Sequence, residues 1–220
     1  MFLVPAFFFL PKKIATDQKT HAKFPHKPLG VIILIGILLV FLGDISLWSY
    51  TERIAAHIEI PVDTIGMILG ATVIAGLTGG ILAAVIDTRW GRCLPMTLGL
   101  LVLAMSIYFL PYARSTSTFI LTMVAWNASY LFLLPYLMGT VSELDKDGSW
   151  AVMAASVQNI GAAVGPAIAG LVVLRWSYPG IGWFCGTGAM VALVLTLWVL
   201  RAMRRIPVGD ALSEETASTF

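Results

Sequence analysis

Six long apolar runs constrain the fold of this chain more than any other feature of its sequence. A helix needs about 20 predominantly apolar residues to cross the hydrocarbon core of a bilayer, and each run is about that long. The runs lie at residues 29–56, 64–86, 94–112, 117–141, 150–174 and 180–201. The sequence therefore predicts an all-α, polytopic membrane protein with six transmembrane helices.

The overall composition excludes a water-soluble domain of 220 residues. Hydrophobic residues make up 58% of the chain, charged residues make up 12%, and the mean hydropathy is +0.87. A bilayer is the solvent that this composition requires. Pro61, Pro111, the run Asp145–Gly148 and the pair Pro179–Gly180 mark the connections between the apolar runs, the last of them a loop at 175–179, so we expect helical hairpins joined by short connections.

The distribution of Lys and Arg predicts the orientation of the bundle. When the six runs alternate across the bilayer, eleven of the 14 basic residues fall on one side, and only Arg53, Arg114 and Arg175 fall on the other. Basic loops face the cytoplasm, so we expect both termini there, in an integral protein of the plasma (inner) membrane. Because the bases lie in loops and tails and not on an aromatic-bearing face, they give no support to nucleic-acid binding.

Residues outside the six runs form two flanking segments. Residues 1–28 are expected to hold an N-terminal helix remnant and a basic cytoplasmic linker, residues 29–201 the six-helix transmembrane bundle, and residues 202–220 a cytoplasmic tail. The first ten residues, MFLVPAFFFL, are too short to span a bilayer, and their lysines follow the apolar run instead of preceding it as in a signal peptide. They are either an interfacial anchor or the end of another helix.

Asp44 places a formal charge deep in the first apolar run. A carboxylate near the bilayer centre costs about 2.5–3.5 kcal/mol on insertion scales and usually marks a substrate or ion pathway. Asp44, Trp48 and Glu52 recur every four residues and share one helix face. We predict that Asp44 couples protons or contacts a cation; the alternative is a protonated carboxyl bonded to a neighbouring helix. Glu52 lies nearer the outer surface, as a gate, a substrate contact or a solvated group.

Polar side chains in the fourth and fifth runs complete the predicted pathway. Asn127 and Tyr130 lie three residues apart on one helix face, and Gln158 and Asn159 lie about a third of the way into the fifth run. Amides at that depth need either a helix partner or a solvated cavity. The sequence predicts that these amides and Trp48 line a small-molecule site, with ordinary helix packing as the alternative.

Two local motifs involve glycine. The fifth run contains Gly161, Gly165, Pro166 and Gly170 in the sequence GAAVGPAIAG, and glycines four apart allow two membrane helices to approach closely. The second run repeats this chemistry at Gly66, Gly70, Gly76 and Gly80. The turn between the second and third runs, DTRWGR, contains Asp87, Arg89, Gly91 and Arg92.

On these residues the chain resembles the C-terminal half of a major facilitator superfamily transporter, over essentially its whole length. The DTRWGR turn is similar to the family's loop motif G-x-x-x-D-R-x-G-R-[RK]: Arg89, Gly91 and Arg92 are in register, whereas Asp87 stands one residue early and Cys93 replaces the final base. GAAVGPAIAG is similar to the family's G-x-x-x-G-P-x-x-G-G pattern.

The resemblance implies a function and a partner. Two six-helix bundles in such proteins rock about a midplane site. Asp87, Arg89 and Arg92 would then form a cytoplasmic latch, and this bundle would need a second six-helix bundle from the same gene, from another subunit or from a copy of itself. The chain is thus predicted to be a secondary active transporter, or half of one, that moves a small solute by alternating access with protons as the candidate coupling ion.

The sequence lacks the motifs of several enzyme classes. His21, His26 and His57 lie in predicted loops or at a helix end, so an intramembrane serine protease would lack its embedded base. The sequence contains no phosphate-cradling loop and no H-E-x-x-H, and its two cysteines lack metal-site spacing. We therefore predict no enzyme activity, cofactor or metal. The rival function is a non-transporting membrane protein, either a truncated remnant or an accessory subunit that binds another membrane protein.

Overall fold

The described residues form long α-helices joined by short connections. The computed structural model describes residues 27–86, 91–144 and 148–204. Within these residues the helices are α1 (Lys27–His57), α2 (Val62–Ile86), α3 (Cys93–Phe109), α4 (Thr116–Leu144) and α5 (Ser149–Arg204), and a short 3₁₀ turn, Leu110–Tyr112, follows α3. All five are long and apolar enough to cross a membrane. The prediction of an all-α membrane protein is confirmed for the described residues, which form five such helices and not the predicted six.

Helix α5 is too long for a single crossing of the bilayer. Its 56 residues would extend about 84 Å as one straight helix, against a hydrocarbon core of about 30 Å. Ser177 interrupts the helix with φ 58 and ψ −168, a left-handed conformation that an L residue adopts at a cost. We call residues 149–176 the first arm of α5 and residues 178–204 its second arm.

Contacts along α1 show that α5 doubles back at Ser177. In order along α5, the contacts are Trp150 with Gly30, Gly165 with Ser46, Tyr178 with His57, Cys185 with Gly43, and Thr196 with Gly36. The first arm therefore runs parallel to α1, and the second arm returns antiparallel to it. Both arms pack against α1.

The turn between the arms is shorter than the loop predicted at residues 175–179. Helix continues to residue 176 and resumes at residue 178, so one residue makes the turn. Pro179 lies in the first turn of the second arm, where its missing N–H costs nothing. A Cβ on Gly180 would lie 2.6 Å from the Cβ of Trp176, so the reversal requires glycine there.

Helix α2 packs against α4 through Gly76, which the sequence singled out, and through Gly79, which it did not. A Cβ on Gly76 would lie 2.6 Å from the Cβ of Asn127 on α4, and a Cβ on Gly79 would overlap the backbone carbonyl of Ala128. Gly66, Gly70 and Gly80 would place a Cβ in open space. The face of α2 that meets α4 therefore carries Gly76 and Gly79, whereas an added Cβ on Gly66, Gly70 or Gly80 meets no other described residue.

Large apolar side chains of α1, α3 and α4 form the centre of the bundle. Ile37 and Leu47 of α1, Leu103 of α3, and Phe119 and Met123 of α4 are fully buried. This core fixes α1 beside α4, and that juxtaposition positions the candidate site. The predicted linker up to residue 26 and the tail from residue 205 lie outside the described residues.

Candidate translocation site

Asp44 and Trp126 form a buried pair that joins α1 to α4. Asp44 is 8% exposed, Trp126 is 2% exposed, and the indole Nε1–H of Trp126 donates a hydrogen bond of 2.8 Å to Oδ1 of Asp44. Buried carboxyl groups require such partners, because an unpaired polar group away from water costs several kcal/mol. The pair lies near the middle of α1, at the depth predicted for Asp44.

Aromatic rings extend the pair toward the surface of the bundle. Trp48, one turn after Asp44, packs edge-on against Trp126 with the ring centroids 5.9 Å apart and an interplanar angle of 65°. Trp48 is 39% exposed, so these side chains lead from an exposed indole, through the buried indole of Trp126, to the buried acid Asp44. One turn further along α4 from Trp126, Tyr130 meets Phe41 edge-on at 5.8 Å. The pair is thus flanked by apolar rings on both sides.

The predicted amides do not join the Asp44–Trp126 pair in the described residues. The Nδ2 of Asn127 donates to the carbonyl of Met123 at 2.9 Å, and the Nδ2 of Asn159 donates to the carbonyl of Ala155 at 3.0 Å. Both amides thus bond to their own helix, and Asn159 is exposed. The Nε2 of Gln158 lies 3.5 Å from the sulfur of Met138 and links the first arm of α5 to α4.

Glu52 lies apart from the buried pair. Its side chain is exposed and stands two turns beyond Asp44 toward the end of α1. Along the helix face shared by Asp44, Trp48 and Glu52, the side chains therefore become more exposed, from buried Asp44 to exposed Glu52. An exposed carboxylate can remain solvated, so Glu52 needs no partner, whereas Asp44 needs its indole.

The glycine motif of the first arm packs closely against α1. A Cβ on Gly161 would lie 3.0 Å from the backbone nitrogen of Leu42, and a Cβ on Gly165 would lie 3.0 Å from Oγ of Ser46. The Oγ of Ser46 donates a hydrogen bond of 2.9 Å to the carbonyl of Gly165. These contacts hold the first arm against the helix that carries Asp44.

The last two residues of the motif lie further along the same arm. Gly170 faces the hydroxyl of Tyr50, which would lie 3.2 Å from an added Cβ. Pro166 lies inside the helix, where its ring removes one backbone donor.

Two of the three predicted latch residues, Asp87 and Arg89, lie outside the described residues. Gly91 has φ 69, which favours glycine, and it lies two residues before the start of α3. The Nη1 of Arg92 lies 2.6 Å from Oε2 of Glu143 and donates to the carbonyl of Gly139 at 3.2 Å. A cation at the end of α4 is favourable because the C-terminus of a helix carries partial negative charge. Arg92 therefore ties the start of α3 to the end of α4.

Sequence reasoning missed Trp126 as the partner of Asp44. It identified the acid, Trp48 and Tyr130, but it did not include Trp126 among the pathway residues. The available signal was an indole N–H in the middle of an apolar run, since such a donor needs a buried acceptor.

Comparison with known proteins identifies the family. The family model described as Major Facilitator Superfamily matches residues 33–219, which is well over half of the chain. The chain belongs to the major facilitator superfamily. The resemblance inferred from the DTRWGR turn and GAAVGPAIAG is thereby confirmed. Membership in this family supports an integral membrane protein of the transporter class.

One solved structure shares the fold. The crystal structure of the human organic anion transporter MFSD10 (TETRAN) matches with a TM-score of 0.62 and 18% sequence identity. The match covers 81% of this chain and 48% of that one, so this chain spans about half the length of that transporter. At this identity the likeness shows the fold of the bundle.

Proposed function

We propose that this superfamily member moves a small solute by alternating access, with the Asp44–Trp126 pair at its translocation path and protons as the coupling ion. The observation that carries the proposal is the buried hydrogen bond of 2.8 Å between these two residues, within membrane-length helices. A buried acid in a membrane span is costly and serves function more often than stability.

The geometry supports a stepwise path to the acid. A solute entering from the exposed side meets the ring of Trp48 before that of Trp126, and both rings stand between it and the carboxyl of Asp44. Displacing the indole N–H would free a carboxyl oxygen for a proton or a cationic group. Rocking of this bundle against a second one would move the rings and the acid between the two sides of the membrane.

We propose that the two arms of α5 cross the membrane separately, which gives six spans. Each arm is about 40 Å long at 1.5 Å per residue, enough for one crossing. Six crossings would place both termini in the cytoplasm and Ser177 on the opposite face. In a background with Cys93 and Cys185 replaced, we expect an impermeant maleimide added outside intact cells to label Ser177→Cys but not Arg201→Cys. Labelling of Arg201→Cys would contradict this topology.

A second six-helix bundle is part of the proposal. The chain spans 48% of the matched transporter, and α2 leaves much of its surface exposed, including Gly66 and Gly70, which have no neighbour within 4 Å of an added Cβ. Small residues on an open face allow close approach of another membrane helix. The partner would come from the same gene, from another subunit or from a copy of this chain.

Transport in proteoliposomes tests the proposal. The native protein is reconstituted with an internal pH dye, and sugars, small organic acids and amphipathic drugs are applied in turn. We expect one of these solute classes to be transported together with protons, which the dye reports as a change of internal pH. Asp44→Asn should abolish this proton movement without reducing membrane insertion. Glu52→Gln, an exposed acid on the same helix, is the control and should retain most of the movement. Unchanged transport in Asp44→Asn would overturn the assignment of Asp44.

The same experiment addresses the alternative function. If the wild-type protein moves none of the solutes but co-purifies with another membrane protein, the accessory-subunit function is favoured over transport.

A further inference from the structure

A groove opens between α2, α3 and α4 and is lined by residues of these three helices. Its volume is about 490 Å³, within the range of about 300–1,000 Å³ that is typical of small-molecule sites. Its walls are built by apolar side chains, among them Leu82 and Ile86 of α2, Leu98 and Val102 of α3, and Ala125 and Phe132 of α4. None of these residues belongs to the Asp44 site.

The side-chain hydroxyls among the described residues that line the groove are both already hydrogen-bonded. Its lining includes two hydroxyl groups, those of Thr78 and Ser129. The Oγ1 of Thr78 donates to the carbonyl of Ala75 at 2.7 Å, and the Oγ of Ser129 donates to the carbonyl of Trp126 at 2.9 Å. Each hydroxyl hydrogen is thus used within its own helix. An occupant of this groove gains only apolar contacts, so it must itself be apolar along its length.

The dimensions of the groove fit one leaflet of a bilayer. From Thr78 to Ile86 on α2, and from Leu94 to Val102 on α3, the lining extends over eight residues, or about 12 Å. One leaflet contributes about 15 Å to the hydrocarbon core. A lipid acyl chain lying along the groove would therefore fill most of one leaflet.

Charge at one end of the groove selects the head group. Leu94 lies at that end, two residues after Arg92, and Arg89 precedes α3 in the sequence. The Arg92–Glu143 ion pair is partly exposed, with Arg92 27% and Glu143 47% exposed, and surface pairs contribute only about 0–1 kcal/mol. A phosphate can therefore share the guanidinium. Basic residues at the cytoplasmic surface attract anionic lipids by about 1 kcal/mol each.

We propose that this groove is a binding site for one acyl chain of an anionic phospholipid, with the phosphate beside Arg92. The lipid would lie in the cytoplasmic leaflet, a placement that rests on the topology proposed above. The groove and its ligand do not depend on a transport function.

Photo-crosslinking in lipid nanodiscs tests the site. The protein is incorporated with phosphatidylglycerol that carries a diazirine in the middle of one acyl chain, and the labelled peptides are mapped by mass spectrometry. We expect the label to concentrate on the peptides that contain Leu82, Leu98 and Val102. Label spread over the exposed faces of α2 and α5 in proportion to their exposure would overturn the proposal.

Filling the groove supplies the matched comparison. Ala125→Phe places a ring in the groove and should lower its labelling several-fold, and Val102→Trp does the same from α3 if the first variant fails to fold. Ala84→Phe adds the same ring on an exposed face of α2 outside the groove and should leave the labelling unchanged. Equal labelling in Ala125→Phe, Val102→Trp and wild type would contradict occupancy of the groove.

The head-group preference has its own control. Phosphatidylglycerol should label the groove more strongly than phosphatidylcholine with the same modified chain. Arg92→Gln should remove that preference, whereas Glu143→Gln breaks the same ion pair but keeps the guanidinium and should preserve it. Equal labelling by both lipids in the wild type would refute the role of Arg92.

Discussion

The hydrogen bond between Trp126 and Asp44 should contribute a measurable coupling energy to the bundle. Trp126→Phe removes the donor and leaves a buried carboxyl unpaired, and Asp44→Leu removes the acceptor and leaves a buried indole N–H unpaired. Each change alone should lower the free energy of unfolding by about 1–3 kcal/mol, because the remaining group keeps its desolvation cost. The double variant leaves neither group unpaired, so we expect it to cost less than the two single changes summed.

The expected coupling is about 1.5–3 kcal/mol, the range for hydrogen bonds to charged groups. At about 2–4 °C per kcal/mol for a chain of this size, it corresponds to about 3–12 °C in the unfolding temperature. A thiol-reactive dye that reports exposure of Cys185, which is 1% exposed when folded, measures that temperature in a Cys93→Ser background. Additivity within about 0.5 kcal/mol would refute the coupling, because independent sites add to that extent.

Three further predictions use the same thermal assay. Gly79→Ala should lower the free energy of unfolding by about 1–3 kcal/mol, because the added methyl group overpacks against α4. Gly80→Ala, at a neighbouring residue with open space, should be neutral or stabilising by up to about 1 kcal/mol. Equal shifts for the two variants would contradict the face of α2 that meets α4. Ser46→Ala should cost about 1 kcal/mol by deleting the bond to the first arm of α5, and no change would show that the bond contributes nothing. Glu143→Gln should cost less than about 1 kcal/mol, with the difference vanishing at high salt; a larger, salt-independent loss would refute a weak surface pair.

The sequence predicted the spans well, because length and hydropathy determine where a helix can cross a bilayer. The first four runs agree with α1 to α4 within about three residues at most ends. The reversal of α5 was harder to locate, since Pro179 and Gly180 suggested a loop of several residues. A serine in a left-handed conformation makes the turn, and no propensity of Ser177 indicates that role.

Helix faces that meet a neighbour were only partly predictable. Spacing of four singled out Gly76 and Gly80, yet Gly79 is the residue that meets Ala128. Periodicity shows which residues share a face of one helix, but it does not show which face a second helix covers. The same limit applies to the glycines of the first arm, whose contact with α1 required the fold.

At the candidate site, too, the features within one helix were predictable and the contacts between helices were not. Asp44 was identifiable because a charge in an apolar run is costly wherever it points. Its partner Trp126 lies 82 residues away on another helix, so spacing along the chain carries no signal for the pair. Asn127 and Asn159 looked equally suited to a cavity, but each bonds to the carbonyl four residues earlier, which satisfies an amide locally.

The central claim is that the position of Asp44 opens to water during a transport cycle. The most direct measurement is the reaction of Asp44→Cys with a small charged methanethiosulfonate, applied from each side of the membrane in a background without native cysteines. We expect reaction that depends on the side of addition and changes when the transported solute is present. Ile37→Cys, two turns away on the same helix and fully buried, should stay unreactive. An Asp44→Cys variant that is as inert as Ile37→Cys from both sides would contradict the account.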